Sequence, residues 1–321
     1  MAKLRLQKAA EIALTDYMGL AAEETLLVVS DKNMRDIGIA LFEAGESICE
    51  EAFYAEISPR QNNGQEPPEP IAELMKQVDV VICPTTKSLT HTDARRSASR
   101  LGVRIGTMPG ITANTMARCL NADFEKIQTM SANLAEYLKN ASKIRVKTKS
   151  GTDVTFEMRK RRIIQSTGVL RNIGESGNLP SGEVFMAPWE GKTNGVIVFD
   201  GSFAGIGILE NPVTVEVKDG FAEKISGKDE AKKLTKMLSE HGKYGRAIAE
   251  FGIGTNYKAK ISGEILEDEK ALGTVHFAFG NNLSMGGKIN VPIHIDGVIR
   301  DPDVFVDNEQ IMKNGKLTIE V

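Results

Sequence analysis

The hydrophobic period changes near residue 143, and that change limits what this chain can fold into. Before it, short continuous apolar runs alternate with segments at helical spacing. After it, apolar and polar residues mostly alternate one by one. A continuous run such as Thr25-Leu26-Leu27-Val28-Val29-Ser30 is what a strand buried on both faces requires. Residues 52–57, 80–83 and 103–106 read the same way. Asp31 and Asn33 offer caps for a helix through Glu43, with Gly45 as its stop. Ile71, Leu74, Met75 and Val78 lie at helical spacing, and Asp93 to Leu101 forms a further helix before Gly102. Strand–helix alternation with short connections predicts an open parallel sheet covered by helices. Thr112 to Ser142 then reads as helix, with Met116, Leu120, Phe124 and Ile127 on one stripe.

Beyond residue 143 the signs are those of antiparallel strands. Ile144, Val146 and Thr148 alternate with polar residues, as do Val154, Phe156 and Met158, around a turn at Ser150-Gly151. Asp219-Gly220 and Asn314-Gly315 are further turn dipeptides. Only Asp229 to His241 clearly reads as helix. The expected fold is α/β: an N-terminal open parallel sheet with helices over residues 1–142, then a larger β-rich α+β domain over 143–321.

Bulk properties exclude some functions. A length of 321 residues supports two domains, and 41% apolar with 26% charged residues is ordinary for a globular protein. A net charge of -3 with mixed signs gives no reason to expect nucleic acid. No apolar run reaches membrane-spanning length, and the N-terminal segment lacks the apolar stretch of a secretory signal. Cys49, Cys83 and Cys119 are far apart and lack metal or redox spacing, so reduced thiols in a cytoplasmic protein are expected. No glycine-rich nucleotide fingerprint follows the first strand, and there is no H-E-x-x-H helix and no G-x-S-x-G elbow. Cys83 and His91 sit near the carboxyl end of a parallel strand, a common ligand position, but read more simply as a buried thiol and a surface imidazole.

Chemistry concentrates in the β-rich part. In Thr274-Val275-His276-Phe277-Ala278-Phe279-Gly280, one strand face carries Val275, Phe277 and Phe279. The other carries His276 among small residues. In Pro292-Ile293-His294-Ile295-Asp296, the imidazole and the carboxylate share a face. Glu250 stands among apolar and small residues, where an unpaired carboxylate is costly unless a cation or a proton neutralises it. Two of the four histidines thus join carboxylates on strand-like segments, a donor set for a divalent transition metal. Each motif alone has a plainer reading: a structural histidine, a Glu250 pair with Lys258 or Lys260, a turn at Asp296-Gly297. The run Glu267-Asp268-Glu269 reads as a solvated loop.

Four stretches carry a family resemblance: Asn178 to Pro188 around Gly182-Glu183-Val184-Phe185, Glu250-Phe251-Gly252-Ile253-Gly254-Thr255-Asn256, Asp268-Glu269-Lys270 leading to His276, and His294-Ile295-Asp296. Over about residues 170–300 the chain resembles the thermophilic-type metallo-aminopeptidases, the group of aminopeptidases T and S. The resemblance implies metal ligands at Glu183, Glu250, His276, His294 and Asp296, catalytic carboxylates at Glu250 or Glu269, two ions (zinc, cobalt or manganese), a small peptide substrate and a homodimer. The chain departs from that pattern in two places. Glu269 is seven positions before the strand histidine where five is usual, and no tyrosine occurs from Phe277 to Ser284. Related proteins include an iron-dependent dihydroxypyridine ring-cleaving dioxygenase, and His276, His294 and Asp296 suit a mononuclear Fe(II) site of two histidines and one carboxylate. The expectations are therefore a cytoplasmic aminopeptidase first, such a dioxygenase second, and a non-catalytic relative third.

Overall fold

The computed structural model describes residues 2–320. Two compact units emerge. The first comprises the chain up to Phe124 together with Ser166–Ser181, and the second comprises Glu125–Gln165 and the chain from Gly182 onward. The division thus differs from a single boundary near residue 143. The reason lies in the helix Phe124–Lys139, whose Leu134, Ala135 and Leu138 join the apolar core of the second unit. The expected long helix over 112–142 is in fact two, Ala113–Cys119 and Phe124–Lys139. Thr112 caps the first by accepting a hydrogen bond from the Thr115 amide.

The first unit holds a five-stranded parallel sheet in the order Glu51–Ile57, Thr25–Asp31, Val80–Cys83, Arg104–Thr107, Ser176–Asn178. Leu26 to Val29 are fully buried, as their unbroken apolar run demands. The helix after the first strand runs Arg35–Ile48, starting from Met34 rather than from a side-chain cap at Asp31 or Asn33, and continuing through Gly45. Gly45 does not stop it. A Cβ there would lie 2.3 Å from Leu26 Cδ2, so the glycine lets helix and strand approach closely. Among the described residues, no helix is long and apolar enough to cross a membrane.

The second unit pairs an eight-stranded and a seven-stranded sheet around one core. Strand alternation places Val146, Val154, Phe156, Ile197 and Val215 of the larger sheet against Phe251, Ile253, Val275, Phe277 and Ile299 of the smaller. Phe156, Phe251 and Phe277 pack together at the centre in tilted and edge-to-face pairs, with ring centroids 5.0, 5.1 and 5.9 Å apart. The turns fall at the expected dipeptides. Asp219 and Gly220 both take positive φ, as do Asn314 and Gly315, which matches the twist of the hairpins they close. The helix expected at 229–241 spans Asp229–Ser239.

A buried donor cluster on one sheet face

Four neighbouring strands of the seven-stranded sheet build the site: Glu183–Met186, Ile248–Gly254, Thr274–Gly280 and His294–Arg300, all antiparallel. Their register explains the clustering. Glu183 lies opposite Gly254. His276 lies between Gly252 and Val298. Ala278 lies between Glu250 and Asp296, and His294 lies opposite Gly280. Opposed residues project to the same face. Glu183, Glu250, His276, His294 and Asp296 therefore share one face, and the apolar residues between them point to the core. Glu250 follows the regular alternation of Gly252 and Gly254, and a register shift between Ile248 and Glu250, the mark of a bulge, turns Ile248 to the core face. Each donor looks across the ladder at a glycine, an alanine or a valine, which leaves room for the large polar side chains.

The contacts are close. His276 Nε2 lies 3.2 Å from Glu250 Oε1 and 3.5 Å from Glu183 Oε2. His294 Nε2 lies 3.1 Å from Glu250 Oε2 and 3.3 Å from Asp296 Oδ1. Two ligands on one ion with bonds of about 2.1 Å lie roughly 3.0–3.4 Å apart at octahedral or tetrahedral angles. The observed separations are therefore those of donors around a shared cation. Two groupings have mutually adjacent ligand atoms among the described residues: Glu183, Glu250 and His276, and Glu250, His294 and Asp296. Glu250 belongs to both. His294 Nδ1 lies 2.8 Å from the Asn281 carbonyl oxygen. A ring N–H donated there leaves the Nε2 lone pair facing the carboxylates, the tautomer a metal-binding histidine needs. Glu183 Oε2 and His276 Nδ1 are buried without a hydrogen-bond partner.

The electrostatics also favour a cation. Burial opposes a charge on His276, but the hydrogen bond to Glu250 and the charges of Glu183, Glu250 and Glu269 outweigh it and push the imidazole up to about 9. His294 is likewise raised, with burial opposed by Asp296 and Glu250. Burial would raise Glu250, yet its two imidazole partners hold it below the usual carboxylate range. Glu269 is pushed up to about 8 by burial, with Asp296 and Glu183 adding to it. A divalent ion would take the place of the protons that both imidazoles attract. Donor types, spacing and field all fit one.

Lys270 was not expected here. It is 1% exposed and pairs with Glu183 at 2.9 Å and with Glu269. Burial works against its charge, but the two carboxylates hold it ionised. In the sequence it ends an acidic run, where a lysine signals a solvated surface. That run is itself not a solvated loop: Glu267 and Asp268 are fully buried. Glu267 accepts from the Lys260 amide at 3.0 Å, and Asp268 accepts from the Ser262 and Gly263 amides at 2.6 and 3.0 Å. The carboxylates fold the loop before the His276 strand. Glu250 bonds both histidines, and Asp296-Gly297 is no turn but part of a strand. In the first unit, Cys83 is buried and its thiol is pushed up to about 12, a packed side chain rather than a nucleophile.

Comparison with known proteins gives this cluster a family. A family model for 2,5-dihydroxypyridine 5,6-dioxygenase matches residues 14–319. A 2,5-dihydroxypyridine 5,6-dioxygenase of Pseudomonas putida is 25% identical over 261 residues, 75% of this chain and 71% of that protein. The structure of 2,5-dihydroxypyridine dioxygenase from Pseudomonas putida KT2440 covers all of this chain and 99% of its own with a TM-score of 0.85 at 19% identity. Wild-type AmpT from Thermus thermophilus covers 99% of this chain and 100% of its own with a TM-score of 0.72 at 16% identity. Likeness at such identities shows a shared fold alone. The aminopeptidase expectation, and with it the hydrolase and zinc-protease assignment, is corrected by the family match, which points to a dioxygenase rather than a peptidase. The chain belongs to the 2,5-dihydroxypyridine 5,6-dioxygenase family.

Proposed function

We propose that this protein is an iron(II)-dependent dioxygenase that opens a dihydroxylated pyridine ring of the 2,5-dihydroxypyridine type. The observation that carries the reading is the meeting of two imidazoles and the Asp296 carboxylate around Glu250, in a chain of this family. Glu250, His294 and Asp296, whose ligand atoms lie close to one another, would hold the ion, with His276 bonded to the other oxygen of Glu250. One neutral imidazole and two carboxylates leave coordination positions free, as non-haem iron oxygenases require. When bound, iron(II) supplies the one-electron chemistry that lets dioxygen react with a ring.

The residues of the chain do the rest. His294, held through Nδ1, keeps its Nε2 aimed at the cluster. His276 is fully buried, whereas the His294 side chain is 28% exposed and that of Asp296 is 14% exposed. A ring therefore reaches the site from the His294 side, and the His276 side stays dry. Glu250, held ionised by the two imidazoles, keeps one oxygen turned to each of them. The test is to load the protein with iron(II) under nitrogen, add 2,5-dihydroxypyridine and then admit air. The proposal expects the ring absorbance to disappear with matched oxygen uptake. A metal-loaded protein that leaves both ring and oxygen unchanged contradicts it.

A further inference from the structure

The donor cluster is asymmetric, and its asymmetry bears on how many ions it takes. Glu250 presents Oε1 to His276 and Oε2 to His294, so the two donor groupings share it like the bridge of a two-metal site. The grouping on the His294 side has no competing cation among the described residues, and its imidazole is fixed by the Asn281 carbonyl. The grouping on the His276 side is different. Its outer carboxylate, Glu183, already has Lys270 Nζ 2.9 Å from Oε1. The same ammonium also pairs with Glu269. Lys270 is enclosed on all sides, so this pair is not a surface contact that water could loosen.

We infer that Lys270 stands in for a second metal ion, so that the cluster accepts one dication per chain and Glu183 serves the lysine rather than the metal. The inference rests on the metal reading above. A fixed ammonium between Glu183 and Glu269 neutralises the carboxylates that a second dication would need. It also repels a dication placed beside it. Without it, two buried carboxylates would face each other with no counter-charge, and a second ion would be drawn in.

The experiment counts ions. Wild type, Lys270→Arg, Lys270→Met and Glu183→Gln are reconstituted anaerobically with excess iron(II), freed of unbound metal and assayed for iron and protein. Manganese(II) titrations serve as an oxygen-stable check. Wild type and Lys270→Arg should hold one ion per chain, and Lys270→Met should hold two. Glu183→Gln should still hold one, with affinity within a few-fold of wild type. Two ions in the wild type, one in Lys270→Met at saturating metal, or loss of the ion in Glu183→Gln each overturn the inference and leave the dioxygenase proposal standing. No ion in the wild type overturns the metal reading itself. If Lys270→Met does not fold, Glu183→Gln decides alone, because a metal ligand and a lysine partner respond oppositely to that change.

Discussion

Gly252 and His276 face each other across two adjacent strands, and a Cβ on Gly252 would lie 2.1 Å from His276 Nε2. The imidazole occupies the space that any other residue at 252 would fill. Gly252→Ala should therefore push the ring away from Glu250 while leaving the strand intact, since Gly252 shows no positive φ that only glycine favours. Metal affinity should fall by about 10-fold or more, in line with changes that disturb ligand orientation. Competition titration against a metal indicator, with circular dichroism as a control for folding, measures it. Unchanged affinity would mean that His276 does not hold Glu250 in place for the ion.

His294 carries the only imidazole of the cluster whose second nitrogen has a protein partner, among the described residues. His294→Ala and Asp296→Asn should each lower metal affinity and ring-dependent oxygen uptake by at least about 100-fold, more than is usual for residues that only support a ligand. Activity within a few-fold of wild type in either variant would place the ion elsewhere.

Removing metal should also lower stability. The cluster buries Glu183 and Glu250 beside two imidazoles and a lysine, so the ion-free state must hold protons or leave repulsion uncompensated. A ligand that binds only the folded state stabilises it by about 2.7 kcal/mol at 100 times its dissociation constant. Calorimetry with and without chelator should show a lower Tm without metal, and restored metal should reverse it. An unchanged Tm would argue that no ion is held.

Much of this was legible before folding. The buried parallel strands announce themselves as unbroken apolar runs, and the alternation around His276 and His294 already places both on polar faces. The strand Ser176–Asn178 could not be read this way. Three small polar residues carry no period, and they become a strand only because Ile105 to Thr107 offers an edge to pair with. Lys270 escaped for a related reason. A lysine after Glu267-Asp268-Glu269 has the local signature of solvent. Its burial follows from long-range pairing with Glu183, 87 positions earlier by the numbering, which no local pattern encodes. The enzyme class is not legible in the same way, because the donor residues suit both a peptidase and a dioxygenase, and a donor set alone does not choose between them.

A structural pair outside the site gives a pH prediction. Arg104 Nη1 and Nη2 donate to the two oxygens of Glu24 at 2.9 and 2.6 Å, on side chains 10% and 22% exposed. Burial would raise the Glu24 carboxyl, but hydrogen bonds from Arg104 and the Ala21 amide, with the Arg104 charge, hold it below its ordinary value. A depressed folded pKa means the stabilisation is complete above the unfolded pKa of about 4.3 and is lost as pH falls through the folded value. Glu24→Gln should cost about 2 kcal/mol at neutral pH, the scale of a charge-assisted hydrogen bond. The gap to wild type should close as pH falls from about 5 toward 2. Urea unfolding at several pH values checks both. A gap that stays constant with pH would contradict the ion-pair account.

The central claim is that this cluster supports insertion of dioxygen into a hydroxylated pyridine ring. The most direct measurement is the mass of the ring-opened product after reaction of the iron(II)-loaded protein with 2,5-dihydroxypyridine under ¹⁸O₂. Both atoms of the dioxygen should appear in the product, and the His294→Ala variant should give none. A product carrying oxygen only from water, or no ring opening by fully loaded protein, would contradict the account.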